Sequence, residues 1–163
     1  MRLGFRLKHH FFSAFRELFV HHHGSLEFRA KVFALVIAAD EKASVENYIL
    51  VKNIALRIYE NDEDRANLLM LSTKETVRKV REKNGLDLDT LVANIQKELR
   101  IVPRYAKKIS VEDLQMFLNI PHDNDTLSYQ ENILKFLQTL KDETLATKKE
   151  QIINDEAEQI KEK

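Results

Sequence analysis

Cysteine is absent from this chain of 163 residues, and glycine and proline are scarce, at 3 and 2. Without cysteine there are no disulfides, thiolate metal ligands or cysteine nucleophiles. With so little glycine there is no phosphate-binding loop, nucleophile elbow or dinucleotide fingerprint. Alternating runs rich in β-branched and aromatic residues are few, which argues against a sheet. What is present is 32% charged residues, the mark of long helices with short connections. Acids and bases balance at 26 each, so no net field draws the chain to nucleic acid, and no such partner is expected. Asp/Glu pairs abound, yet none stands apart as a catalytic acid and base. The expectation is a non-enzymatic protein.

The balance hides a polarity along the chain. Met1 to Lys31 carries six Lys/Arg against two Glu, a net +4, while Asp142 to Lys163 carries seven acids against four Lys, a net −3. Seven of the nine Phe lie in the first 33 residues. Leu3, Leu7, Phe11, Phe15 and Leu18 fall at helical spacing, broadened by Phe5, Phe12 and Phe19. Charges at Arg2, Arg6, Lys8 and Arg16 exclude a transmembrane span, and the pattern lacks the apolar core and cleavage site of a signal peptide. The reading is a basic amphipathic helix over residues 1–24. Its candidate contact residues are Arg2, Arg6, Lys8, Phe11, Phe12, Phe15 and Phe19. Such a helix suits an anionic membrane surface, a protein partner or a homodimer interface. Packing on the domain itself is the plainer alternative.

Residues 25–141 read as a helical domain. Helices are expected from about Leu26 to Ala39 and from Val45 to Tyr59. A short one follows from Asp62 to Leu71. Ser72-Thr73-Lys74-Glu75 fits a capping box, in which Ser and Glu side chains satisfy orphan amides reciprocally, so a new helix is expected there, ending at Lys83-Asn84-Gly85. Asp87 to Leu99 is the next. Pro103 sits in a connector, and Ser110 opens a helix that stops before Pro121. Ser128-Tyr129-Gln130-Glu131 is a second capping box and the expected start of the last long helix. Residues 142–163 read as a charged helical tail, solvated or frayed. His21-His22-His23-Gly24 reads as a helix end, with Gly as the left-handed cap.

Two groups invite a metal reading. Asp40, Glu41 and Glu46, in the turn after the apolar run Phe33 to Ala39, offer hard oxygen ligands for Ca²⁺ or Mg²⁺. The spacing is not that of an EF-hand, because Val51 occupies the last ligand position. The plainer role for these acids is to favour the following helix N-terminus. The histidine runs His9-His10 and His21-His22-His23 do not converge on one ion, since neighbouring helical residues point about 100° apart. A shift of 84 positions sets Phe33 against Phe117, Asp40 against Asn124 and Ser44 against Ser128, a faint internal repeat.

The stretch Ala38-Ala39-Asp40-Glu41-Lys42-Ala43-Ser44-Val45-Glu46 resembles the signature of the TerB-like family. That family includes the bacterial tellurite-resistance protein TerB and the N-terminal domain of DjlA-type membrane co-chaperones. Its pattern is an apolar helix ending in Ala-Asp-Gly, two variable residues, Ser, then Glu; Glu41 replaces the Gly here. The resemblance implies a compact all-α multi-helix bundle, non-catalytic, in which Asp40 and Glu46 mark an acidic metal or partner surface. It also implies a stress-related interaction module, cytoplasmic or peripheral at the inner membrane. The reading from a different class is a divalent-metal sensor that uses Asp40 and Glu46. A structural homodimer built on the Phe stripe is the third.

Overall fold

The computed structural model describes residues 24–161, and within them the chain is all-helical with no strand. The contact residues assigned to the N-terminal segment and the histidine runs lie outside the described residues. Six α-helices follow: α1 Gly24–Ala38, α2 Val45–Ile58, α3 Glu63–Arg81, α4 Leu88–Ile101, α5 Val111–Gln115 and α6 Asn124–Lys161. Two 3₁₀ helices, Pro103–Lys108 and Met116–Asn119, flank α5.

The apolar run places α1 at the centre. A helix apolar on every side must be surrounded. Leu26, Phe28, Ala30 and the whole run Val32 to Ile37 are buried, and α1 touches α3, α4, α6 and the first 3₁₀ helix. The other helices each bury one stripe. Leu91, Ile95 and Leu99 do so on α4, as their spacing predicts. Phe117 is fully buried in the second 3₁₀ helix, its ring 5.7 Å from that of Phe33.

Several helix starts follow the sequence. Asp62 accepts from the Arg65 amide at 3.1 Å and Asp87 from the Thr90 amide at 2.7 Å, each as an N-cap. Ser110 does the same for Asp113. Gly85, at φ +77°, supplies the left-handed residue that turns the chain between α3 and α4.

Four expectations are corrected. There is no break at Leu71–Ser72: α3 runs unbroken from Glu63 to Arg81. Leu69, Thr73 and Val77 all face the core, so burial continues straight through the apparent capping box. Inside the helix, Thr73 donates back to the Leu69 carbonyl at 2.8 Å. Nor does Ser128 open the last helix. Asp123 caps it, its carboxylate accepting from the Thr126 amide at 2.7 Å. The earlier start lets Thr126 and Gln130 join Ile133, Leu134 and Leu137 on the buried face.

Gly24 is helical and not at positive φ, so it is not the left-handed cap expected there. A Cβ added there would collide with the Tyr105 hydroxyl, so glycine serves a close approach. The internal repeat has no structural counterpart. α2 begins one residue after Ser44, whereas α6 begins four residues before Ser128. Ile49 is 54% exposed and its shifted counterpart Ile133 only 7%.

Candidate functional site

The acidic turn between α1 and α2 is tied down by its own side chains. The Asp40 carboxylate accepts from the Lys42 amide at 2.8 Å, closing a local turn across Glu41 without a glycine. The Arg81 guanidinium at the end of α3 donates to the Asp40 carbonyl at 2.8 Å. Asp40 is 9% exposed. Ser44 occupies the N-cap position of α2 but makes no capping hydrogen bond to the backbone. Its oxygen takes the Asn47 side-chain amide instead, at 3.4 Å. Glu46 stands in solvent, and a hydrogen bond from Ser44 with help from its own backbone holds its carboxyl below the usual range. Among the described residues no three His, Cys, Asp or Glu side chains gather into a metal-binding group. The turn therefore presents Asp40 and Glu46 separately, each in a local bond.

A second surface gathers positive charge. Between Lys97 and Lys108 the sequence has five bases, Lys97, Arg100, Arg104, Lys107 and Lys108, against the single acid Glu98. Glu98 is already paired with Lys31 of α1. None of the five bases makes an ion pair within the described residues.

Packing explains which way these bases point. Pro103 opens the 3₁₀ helix behind Val102, whose backbone is out of the α region that a following proline disfavours. Ala106 and Ile109 are fully buried. The Tyr105 ring lies 5.3 Å from that of Phe28. The Lys141 ammonium on α6 donates to the Ile109 carbonyl at 2.8 Å, locking the end of the turn. With those anchors inside, Arg104 and Lys107 are left exposed and Lys108 half-buried. They line a shallow cavity of 320 Å³ with Ser25 and Tyr105, beside the first turn of α1.

Two grooves of more than twice that volume carry mixed charge. One, of 810 Å³, runs among α1, α3 and α4 and includes Lys31, Ser72, Glu75 and Lys79. The other, of 970 Å³, opens beside the α3–α4 turn between Arg81, Asp87 and Tyr129. Neither concentrates one sign of charge as the 3₁₀ turn does.

The basic turn was not anticipated from the sequence, although the run of bases was visible. Its alternation with Tyr105, Ala106 and Ile109 has no helical or strand period, so nothing flagged an oriented surface. No helix among the described residues is long and apolar enough to cross a membrane. Comparison with protein-family models, curated proteins and solved structures gives no match.

Proposed function

We propose that this chain is a non-enzymatic helical interaction module of the TerB-like type that docks on an anionic membrane surface. One observation carries the reading. Gly24 lies against Tyr105, so the basic Phe-rich segment joins the bundle beside Arg104, Lys107 and Lys108. Met1 to Lys31 carries a net +4, and the chain enters the described bundle at Gly24, next to the bases of the turn. Basic side chains near an anionic surface each contribute about 1 kcal/mol, and apolar residues such as Phe11, Phe12, Phe15 and Phe19 add burial in the interface. The Asp40-Ser44-Glu46 pattern supports the family, and in this reading the acidic turn is a structural corner.

Sedimentation with vesicles containing anionic lipid is the test. The chain is expected in the pellet at low salt and in the supernatant at high salt, because the attraction is screened. Arg104→Glu with Lys107→Glu should weaken capture several-fold, and removing Met1 to His23 should abolish it. Equal capture by neutral and anionic vesicles would overturn the proposal.

A further inference from the structure

The far end of α6 poses a separate question. Every residue from Gln151 to Lys161 is exposed, although the helix runs on without interruption. The stretch buries nothing against the bundle, so its side chains are open to a partner surface. The stretch is not uniformly polar: Ile152, Ile153 and Ile160 are 48%, 54% and 76% exposed.

Ile153 and Ile160 lie off the side of α6 that packs on the bundle, and Ile152, five turns past the buried Leu134, continues only the edge of that side. At about 100° per residue, the stripe through Ile152, Ile153 and Ile160 is centred roughly 110° round the helix from Leu137. Leu145 lies on the same stripe, as do Lys149 and Glu156. The bundle-facing side, by contrast, becomes polar past Leu145, at Gln151 and Asp155. Leu145, at the root of the stripe, still packs on the bundle, whereas Ile152, Ile153 and Ile160 beyond it are left exposed.

We infer that α6 pairs antiparallel with α6 of a second copy of this chain, about a twofold axis between Ile152 and Ile153. One register satisfies the whole stripe. It sets Leu145 opposite the second copy's Ile160, Ile152 opposite its Ile153, and Lys149 opposite its Glu156. Symmetry repeats each contact, as an isologous interface requires. The two charges that interrupt the apolar stripe thereby neutralise each other. Charge also selects the direction. Residues 144–150 carry Lys148 and Lys149 against Glu150, whereas 154–161 carry three acids against Lys161. Antiparallel pairing sets the basic root against the acidic tip, and parallel pairing would set like against like. Glu150 and Asp155 share a level in this register but lie roughly 110° off the contact stripe, on solvent-facing flanks. This interface is independent of the basic turn and of the Phe-rich segment.

The mass of the full chain in solution, by sedimentation equilibrium, tests it. The unaltered chain should form dimers. Lys149→Glu or Glu156→Lys alone should weaken association by about tenfold, because each creates two like-charge contacts. The doubly exchanged chain should recover dimers. An equimolar mixture of the two single variants should also recover them, as a heterodimer in which both pairs are attractive. Both substitutions sit on exposed helix, so the bundle stays folded. A monomeric unaltered chain, or single variants that associate as it does, would overturn the inference. So would loss of the dimer on removing Met1 to His23, which would place the interface on the Phe stripe.

Discussion

The Gln130 side chain on α6 donates through Nε2 to the Val36 carbonyl at 3.1 Å, inside the core and across 94 positions of sequence. Val36 is among the last four residues of α1, whose carbonyls have no helical partner. The Asp40 amide turns to Ile37 instead, at 3.1 Å. Gln130 thus caps the central helix from another element. Gln130→Met keeps the volume and leaves that carbonyl unpaired in the core. It should destabilise the protein by about 1–3 kcal/mol, read from urea unfolding midpoints.

Ser72 separates a cap from a buried hydroxyl. Its Oγ is buried without a hydrogen-bond partner, in mid-helix. Ser72→Ala removes an unsatisfied group and adds helix propensity, so it should stabilise by roughly 0.5 kcal/mol. At an N-cap the same change would cost about 1 kcal/mol. The sign of the shift in melting temperature decides between the two.

Gly24 and Tyr105 should be energetically coupled. Gly24→Ala drives a Cβ into the Tyr105 hydroxyl, offsetting the helical advantage of alanine. In a Tyr105→Phe background the obstructing oxygen is gone. There Gly24→Ala should become stabilising by about 0.5 kcal/mol, and a double-mutant cycle should return a non-zero coupling. Additive effects would show that the contact relaxes freely.

Acid sensitivity should trace to helix starts. The Thr90 backbone amide holds the Asp87 carboxyl below its ordinary range, and the Thr126 amide does the same for Asp123. A depressed folded value means that stability is fully present above the unfolded pKa, near 3.9, and is lost as pH falls through the folded value. Asp87→Asn with Asp123→Asn keeps capping oxygens but no titration. Below about pH 4 the double variant should lose less stability than the parent, and at neutral pH the two should differ little.

How far the sequence led depended on whether a signal was local. Asp62, Asp87 and Ser110 cap where their positions imply, because a cap involves only three or four residues. The apolar run from Phe33 implied a buried helix, and that helix is the hub. Ser72 and Ser128 misled for one reason. Each has a cap's neighbours, but its backbone belongs to a helix already begun upstream, held by residues such as Leu69 or Gln130 packing on distant elements. The corner at Asp40 was recognisable as a turn, whereas its clamps, Arg81 and Gln130, come from 41 and 94 residues away. The basic turn was hidden differently. Its charges were plain, but their direction is set by Tyr105 packing on Phe28 and by Lys141 reaching from α6.

α6 has a hydrodynamic consequence. Its 38 residues span about 57 Å at 1.5 Å per residue, well beyond the diameter of a small domain. From Lys149 to Lys161 every residue is exposed, so that end acts as a spar that slows tumbling. The protein should therefore elute early for its mass and scatter X-rays with a long-distance shoulder. Elution alone would overstate the number of copies, so the count must come from sedimentation equilibrium.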